Sequence, residues 1–184
     1  MQTKTKKLTE CAVMVALATV LSFIYIYQAP QGGSVTLGSM VPLVIVSAHI
    51  KDMRWGLLAC FAYSLIQMMF GFVAPPTATL AYFFAVVALD YVVAFTVICL
   101  VNPISKLFSN ELLGVGFGAA VAVACRFLCH FATGILIWGV YAPEGRPVWL
   151  YSLLYNGGYM LPELVITVVL SIAIYAVVII KRRK

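Results

Sequence analysis

The chain has 184 residues, of which 64% are hydrophobic and 10% are charged, and its mean hydropathy is +1.04. Water-soluble domains carry roughly 25% charged residues, so this composition excludes an ordinary soluble protein and predicts an integral membrane protein. The net charge of +6 fits a membrane protein whose cations face one compartment, and no nucleic-acid partner is expected.

Long apolar runs divide the chain into six predicted transmembrane helices. The runs are continuous rather than alternating, which favours helices over a barrel. The second is short and contains Pro42, so we expect it to bend or to enter only part of the membrane. No linker separates two folding units, so 1–184 is predicted to be a single transmembrane domain. The predicted spans are roughly 8–27, 36–50, 54–71, 79–101, 113–138 and 152–180.

The basic residues lie mostly in the segments that a six-span arrangement places on one side of the membrane. Ten Lys and Arg residues fall on one side of the six-span arrangement, Arg146 falls on the other, and Arg126 lies within a span. The positive-inside rule then predicts that both termini are cytoplasmic, with the tail KRRK meeting anionic lipid. The expected location is the cell membrane of a bacterium, with several membrane crossings.

The five cysteines all lie in predicted spans, so a disulfide framework is not expected. Cys125, Cys129 and His130 are close in sequence, but buried cysteine usually serves as a small apolar side chain, and no further ligand cluster accompanies them. We predict neither a metal site nor a cofactor.

Four ionisable side chains fall inside predicted spans, namely Asp90, Arg126, His130 and Glu163. Such groups are costly in a membrane, so each is a candidate functional residue. Asp90 has two interpretations, a structural ion pair with Arg126 or a carboxylate that meets a cationic ligand. His130 either bonds neighbouring helices or lines a site, while a structural role is favoured for Arg126.

A spacing of four places Arg126, His130, Gly134 and Trp138 along one side of the fifth span. Gly134 is predicted to leave room for a flat ring between the imidazole and the indole. Tyr151 and Asn156 open the sixth span, and the same spacing continues through Tyr155 and Tyr159 to Glu163, where packing is the simpler explanation. Aromatic faces, an amide and a carboxylate suit a planar, nitrogen-rich cation.

Several catalytic classes lack their motifs in this sequence. No GxxxxGK[ST], HExxH or GxSxG pattern occurs, so we predict that the chain is not an enzyme and does not hydrolyse ATP itself. A chain this small, without a convincing inverted repeat, is expected to obtain energy from a partner. An autonomous cation- or proton-coupled vitamin carrier remains an alternative, as does an intramembrane enzyme that uses His130 and Asp90 as an acid–base pair.

Four stretches together resemble the thiamine-specific substrate-binding subunit of energy-coupling factor transporters. The resemblance covers most of the chain and implies high-affinity capture of thiamine from outside, with a transmembrane coupling protein and two ATPase subunits as partners. The stretches are GGSVTLGSMVPL (32–43), LDYVVAF (89–95), RFLCHFATGILIWGVYAPEG (126–145) and YSLLYN (151–156).

The resemblance also implies roles for particular residues. Ala12 and Ala16 correspond to the family's docking pair for the coupling protein, although spacing alone leaves ordinary helix packing open. Some relatives have glutamate at Asp90, and some have a tryptophan in the first outer loop that covers the ligand, where this chain has QGGSV. Either the loop closes differently here, or Tyr25, Tyr27 or another ring replaces that tryptophan. The implied ligand-binding residues are Asp90, Tyr91, His130, Gly134, Trp138, Tyr151 and Asn156.

Overall fold

Six helices and one small hairpin make up the computed structural model, which describes residues 3–181. The fold confirms the predicted all-α membrane class, and the hairpin between the first two helices is an addition to it. The elements are α1 Lys4–Ser22, β1 Tyr25–Gln28, β2 Ser34–Thr36, α2 Val41–His49, α3 Met53–Gly71, α4 Leu80–Ser105, α5 Glu111–Leu136 and α6 Val148–Ile180.

Four of these helices, α3 to α6, are long and apolar enough to cross a membrane, whereas six spans were predicted. Helix α2 has nine residues and reaches only about 14 Å, less than half of a hydrocarbon core of roughly 30 Å. Helix α1 is 19 residues long, but Lys4, Lys6, Lys7 and Glu10 occupy its first two turns. The chain is a membrane protein in which α1 and α2 depart from the simple spanning pattern.

Helix α6 has the distribution of side chains expected in a membrane, with apolar side chains exposed and polar side chains buried. Its lipid-facing side exposes Leu161, Val165 and Val169, each more than half exposed. Its inner side buries Thr167 and Ser171 completely. Apolar surface outside and polar groups inside are what a hydrocarbon solvent requires.

The first predicted span was wrong at its end, because α1 stops at Ser22 and the chain turns into the hairpin. Strand β1 pairs antiparallel with β2, with Tyr27 opposite Val35 and Gln28 opposite Ser34. Tyr25–Gln28 is aromatic and β-branched, which suits a strand as well as it suits an apolar helix end. Gly32, with φ +92°, adopts the left-handed backbone that the connecting turn needs.

Helix α2 lies inside the helix bundle, and its residues from Val41 to Ser47 are all buried. A helix that ends inside a membrane protein leaves carbonyl groups without partners. Asn102 of α4 satisfies two acceptors there, because its Nδ2 donates to Ser47 O at 2.8 Å and to Ile50 O at 2.7 Å. Lys106 Nζ then donates to Asn102 Oδ1 at 2.7 Å.

Helix α4 is not a regular α-helix along its length. The segment Val86–Val93 has π-helical hydrogen bonding and carries Asp90 near its centre, and a 3-10 turn follows at Val97–Leu100. π-Helical segments are rare and occur frequently at functional sites. The irregular winding thus marks the region of α4 where the polar side chain enters the bundle.

The basic residues cluster at one end of the bundle, here called the terminal end because α1 begins and α6 ends there. Helix connectivity and the bonds of Asn102 and Lys106 place Lys51, Arg54 and Lys106 at that end. Within the predicted tail KRRK, Arg182, Arg183 and Lys184 lie outside the described residues. This clustering of basic residues at one end agrees with the charge distribution from which the cytoplasmic orientation of the termini was predicted.

Candidate ligand-binding site

A cavity of about 330 Å³ lies at the end of the bundle opposite the terminal end. The hairpin contributes to one side of it and helices α3 to α6 to the others. Its volume falls at the lower limit for small-molecule pockets, and its lining is unusually polar. The predicted binding residues that line it are Asp90, Tyr91, His130, Gly134, Trp138, Tyr151 and Asn156.

Asp90 is the centre of the hydrogen-bond network in this cavity. Its Oδ1 accepts from Thr133 Oγ1 at 2.5 Å and lies 2.9 Å from His130 Nδ1. Its Oδ2 accepts from Trp138 Nε1 at 3.1 Å. Three donors from α5 and the turn after it therefore hold a carboxylate contributed by α4.

The charge of Asp90 is not matched by a basic side chain of arginine or lysine among residues 3–181. An ionised carboxylate only accepts hydrogen bonds, so His130 Nδ1 carries the proton that points to it, and a neutral His130 leaves the negative charge in place. The alternative of an Asp90–Arg126 ion pair is wrong for this structure. A carboxylate that lines a cavity without an arginine or lysine beside it is available to a cationic ligand.

Trp138 follows α5 in a short 3-10 turn, Trp138–Tyr141, rather than on the helix itself. The predicted fifth span continued to residue 138, but α5 ends at Leu136. The turn directs the indole N–H to Asp90, and the ring stacks on Tyr141 with centroids 6.4 Å apart and planes at 18°. The indole therefore both orients the carboxylate and contributes an aromatic wall.

Gly134 lines the cavity, but the space left by its missing side chain is already filled. A Cβ atom built there would lie 2.9 Å from Ser152 Cβ and 3.0 Å from Asn156 Nδ2. The expectation that this glycine makes room for a ligand ring is corrected: it lets α5 and α6 approach each other. Sequence spacing gave the side of α5 but not the neighbour that faces it.

Asn156 joins the same two helices. Its Nδ2 donates to His130 O at 3.2 Å and to Ser152 O at 3.0 Å, and its Oδ1 accepts from Tyr159 Oη at 2.9 Å. The amide is buried, with 5% of its surface exposed. Asn156 therefore fixes the position of the His130 backbone as well as lining the cavity.

Tyr91 has a supporting role beside its place in the lining. Its hydroxyl donates to Gly71 O at 2.7 Å and accepts from Val73 N at 2.8 Å, while its ring packs against Phe72 with centroids 5.5 Å apart. These contacts hold the segment after α3 against α4. Tyr91 thereby shapes the cavity wall next to Asp90.

The row of side chains predicted on α6, from Tyr151 to Glu163, is present in the structure, and its aromatic rings contact one another. Tyr155 lies with its ring centroid 5.8 Å from those of both Tyr151 and Tyr159. Glu163 ends the row as a buried anchor for the hairpin, because its Oε2 accepts from Thr36 N at 2.7 Å and its Oε1 from Thr36 Oγ1 at 2.8 Å. The packing interpretation of Glu163 agrees with these bonds, although the side chain also reaches the cavity.

The hairpin contributes to the cavity lining through Tyr25, Gln28 and the turn at Gln31. Gln31 N donates to Tyr155 Oη at 3.1 Å, which ties the turn to α6. Of the two rings considered as replacements for a missing tryptophan, Tyr25 lines the cavity; Tyr27 is 53% exposed and is absent from the lining.

Two residues of the network were missed by the sequence analysis. Thr133 bonds directly to Asp90, and Ser152 fills the gap at Gly134 while donating to Phe131 O at 2.9 Å. Thr133 follows His130 by three positions, so helical periodicity contained the signal. Ser152 gave none, because its importance depends on the distance between two helices.

Fold and cavity together define a membrane-embedded protein with a polar cavity, in which the carboxylate of Asp90 has no arginine or lysine partner among the described residues and can meet a small organic solute. The chain belongs to the thiamine transporter protein family (Thia_YuaJ), whose model matches residues 8–182. This identification confirms the family resemblance found in the sequence. Membership also implies a transport protein rather than an enzyme.

Individual relatives agree with the family. The thiamine transporter ThiT of Bacillus subtilis is 33% identical, with 87% of this chain and 85% of the relative covered. ThiT of Lacticaseibacillus paracasei is 34% identical over 44% of this chain and 45% of its own. A solved structure of ThiT from Listeria monocytogenes superposes with a TM-score of 0.74 over 94% of both chains at 21% identity, which supports the fold.

Proposed function

We propose that this protein captures thiamine in the cavity around Asp90, as the substrate-binding subunit of an energy-coupling factor importer. Thiamine is a flat aminopyrimidine joined to a cationic thiazolium ring. The observation that carries the proposal is the carboxylate of Asp90, which lines the cavity, takes part in three hydrogen bonds and has no arginine or lysine partner in the described part of the chain. The names of the curated relatives support the choice of ligand.

Each predicted binding residue has a proposed contribution. Asp90 attracts the cation, Trp138 and Tyr151 offer ring faces, and His130 offers Nε2, which has no partner among the described residues. Cation–π attraction contributes about 0.5–2 kcal/mol for each well-placed ring. Tyr91, Gly134 and Asn156 hold the surrounding helices at the spacing the ligand needs.

Transport is proposed to depend on partner subunits, with thiamine entering from outside and both termini in the cytoplasm of a bacterial cell. Ala12 and Ala16 are exposed on α1, while Cys11 and Val15 on the same helix are buried. An exposed pair of small residues is available for close helix contact with a coupling protein. Thiamine uptake by liposomes that contain this chain alone would favour the autonomous carrier instead.

Fluorescence titration tests the proposal directly. The protein has three tryptophans, Trp55, Trp138 and Trp149, of which Trp138 lies in the cavity. We expect thiamine to quench the emission saturably, because a stacked cationic ring lies against the indole. Trp138→Phe should remove most of the quenching, and Trp149→Phe, at an exposed position, is the matched control that should retain it. Absence of saturable quenching in the unaltered protein would contradict the proposal.

A further inference from the structure

An apolar groove lies on the outside of the bundle, between α3 and α4, and is here called the α3–α4 groove. Its volume is about 480 Å³, and its lining shares no residue with that of the ligand-binding cavity. Several lining side chains are exposed, so the groove opens to the surface that lipid covers. Its lining includes Arg54, Leu57 and Phe61 of α3 and Val93, Val97 and Leu100 of α4.

The irregular winding of α4 explains why the two helices leave a hollow there. Val93 ends the π-helical segment Val86–Val93, and the 3-10 turn Val97–Leu100 follows within one turn. A 3-10 turn is narrower than an α-helical turn, because it has about 3 residues per turn instead of about 3.6. The helix therefore becomes thinner where its side chains face α3.

Positive charge collects at the terminal end of the groove. Arg54, in the first turn of α3, is exposed and forms no ion pair within residues 3–181. Lys51 is also exposed, and Lys106 Nζ donates to Lys51 O at 2.8 Å. Asp52 is the carboxylate of the same connection, and its Oδ1 accepts from Arg54 N at 3.1 Å. Three cations thus face one carboxylate beside the open groove.

The residue types in the lining distinguish a lipid chain from a partner helix. Helices that pack together in membranes meet at glycine, alanine and serine, which allow close approach of the backbones. The described residues that line the groove include none of these, and leucine and valine make up most of them. A flexible acyl chain fits between such branched side chains, and basic pockets between helices on the cytoplasmic side bind anionic head groups.

We propose that the α3–α4 groove binds an anionic phospholipid, with an acyl chain between Leu57 and Val93 and the phosphate at Arg54 and Lys51. The groove extends about 10 Å along α3 from Arg54 to Phe61, so the chain enters the membrane directly below its head group. The apolar lining holds the chain of any phospholipid, and the cations supply the preference for negative charge. This site is independent of the proposed function, because its lining is separate from the cavity around Asp90.

Native mass spectrometry of the full chain, purified in detergent and stripped of lipid, tests the role of the charge. The probes are phosphatidylglycerol and phosphatidylcholine with identical acyl chains. We expect the unaltered protein to bind phosphatidylglycerol roughly fivefold more tightly, and Arg54→Gln to lose most of this preference. Arg54→Lys should retain it. Lys4→Gln is the matched control, because Lys4 is an exposed cation of the terminal end outside the groove, and its preference should be unchanged.

A bulky substitution tests the groove itself. Leu57→Trp fills the hollow and should weaken the binding of both lipids severalfold. Val169→Trp adds the same ring to an exposed position of α6 outside the groove, and it should bind both lipids as the unaltered protein does. Both positions are exposed, so neither ring disturbs a buried contact, and thermal unfolding in detergent checks that both variants are folded.

Four results would overturn the proposal. They are equal affinity of the unaltered protein for the two lipids, a preference that survives in Arg54→Gln, and equal effects of Leu57→Trp and Val169→Trp. The fourth is displacement of phosphatidylglycerol by an equal concentration of glycerol phosphate, which has no acyl chain and would assign Arg54 to a soluble phosphate.

Discussion

Replacing Asp90 with alanine is expected to weaken thiamine binding at least tenfold. The change removes the carboxylate that faces the cationic ligand, and it leaves His130, Thr133 and Trp138 without their shared acceptor. Hydrogen bonds to charged groups contribute about 1.5–3 kcal/mol, which corresponds to roughly ten- to 150-fold in affinity. Calorimetry on the purified variant measures the effect.

Asp90→Asn separates charge from shape in the same experiment. The amide keeps an acceptor for Thr133 but carries no charge, so its affinity should fall between those of the unaltered protein and Asp90→Ala. Glu144→Ala is the matched control, because Glu144 is an exposed carboxylate outside the cavity lining. Near-normal affinity in Asp90→Ala would show that this carboxylate does not hold the ligand.

Gly134→Val is expected to lower both the melting temperature and the affinity for thiamine. The added side chain would meet Ser152 and Asn156 where α5 and α6 are closest. Overpacking of this kind costs about 1–3 kcal/mol. Separation of the helices would also disturb the bonds from Asn156 to His130 O and to Ser152 O, on which the position of His130 depends.

Gly157→Val is the matched substitution in open space. Gly157 lies on α6, and apart from its chain neighbours and the backbone of its own helix no heavy atom lies within 4 Å of a Cβ built there. Only the higher helix propensity of valine than of glycine therefore acts on stability, and it favours the variant. Thermal unfolding in detergent compares the two variants. Equal melting temperatures for Gly134→Val and Gly157→Val would contradict the close approach at Gly134.

The sequence predicted the membrane class and the helices from simple hydropathy, since continuous apolar runs have few other structural outcomes. It did not predict the hairpin, because Tyr25–Gln28 is apolar enough to extend a helix and its pairing with Ser34–Thr36 is a tertiary contact. Nor did it predict the π-helical segment around Asp90, which changes the register of α4 without any marker in the residue pattern.

The residues of the candidate site could be predicted from the sequence, but their contacts across the bundle could not. Helical spacing placed Arg126, His130 and Gly134 on one side of α5, with Trp138 next in the same row. Asp90 was noted as a carboxylate within a span and Tyr151 and Asn156 as polar groups that open the sixth span, and the family resemblance added Tyr91. Spacing within one helix cannot say what faces it across the bundle. For that reason the acceptor for Trp138 and the neighbour of Gly134 emerged only from the arrangement of α4, α5 and α6.

A high-resolution structure of the protein crystallised with thiamine tests the central claim most directly. The expected result is one thiamine molecule in the cavity between the hairpin and helices α3 to α6, with its cationic ring next to the carboxylate of Asp90 and an aromatic face against Trp138. Thiamine bound elsewhere on the chain, or a cavity that stays empty at saturating thiamine, would contradict the account.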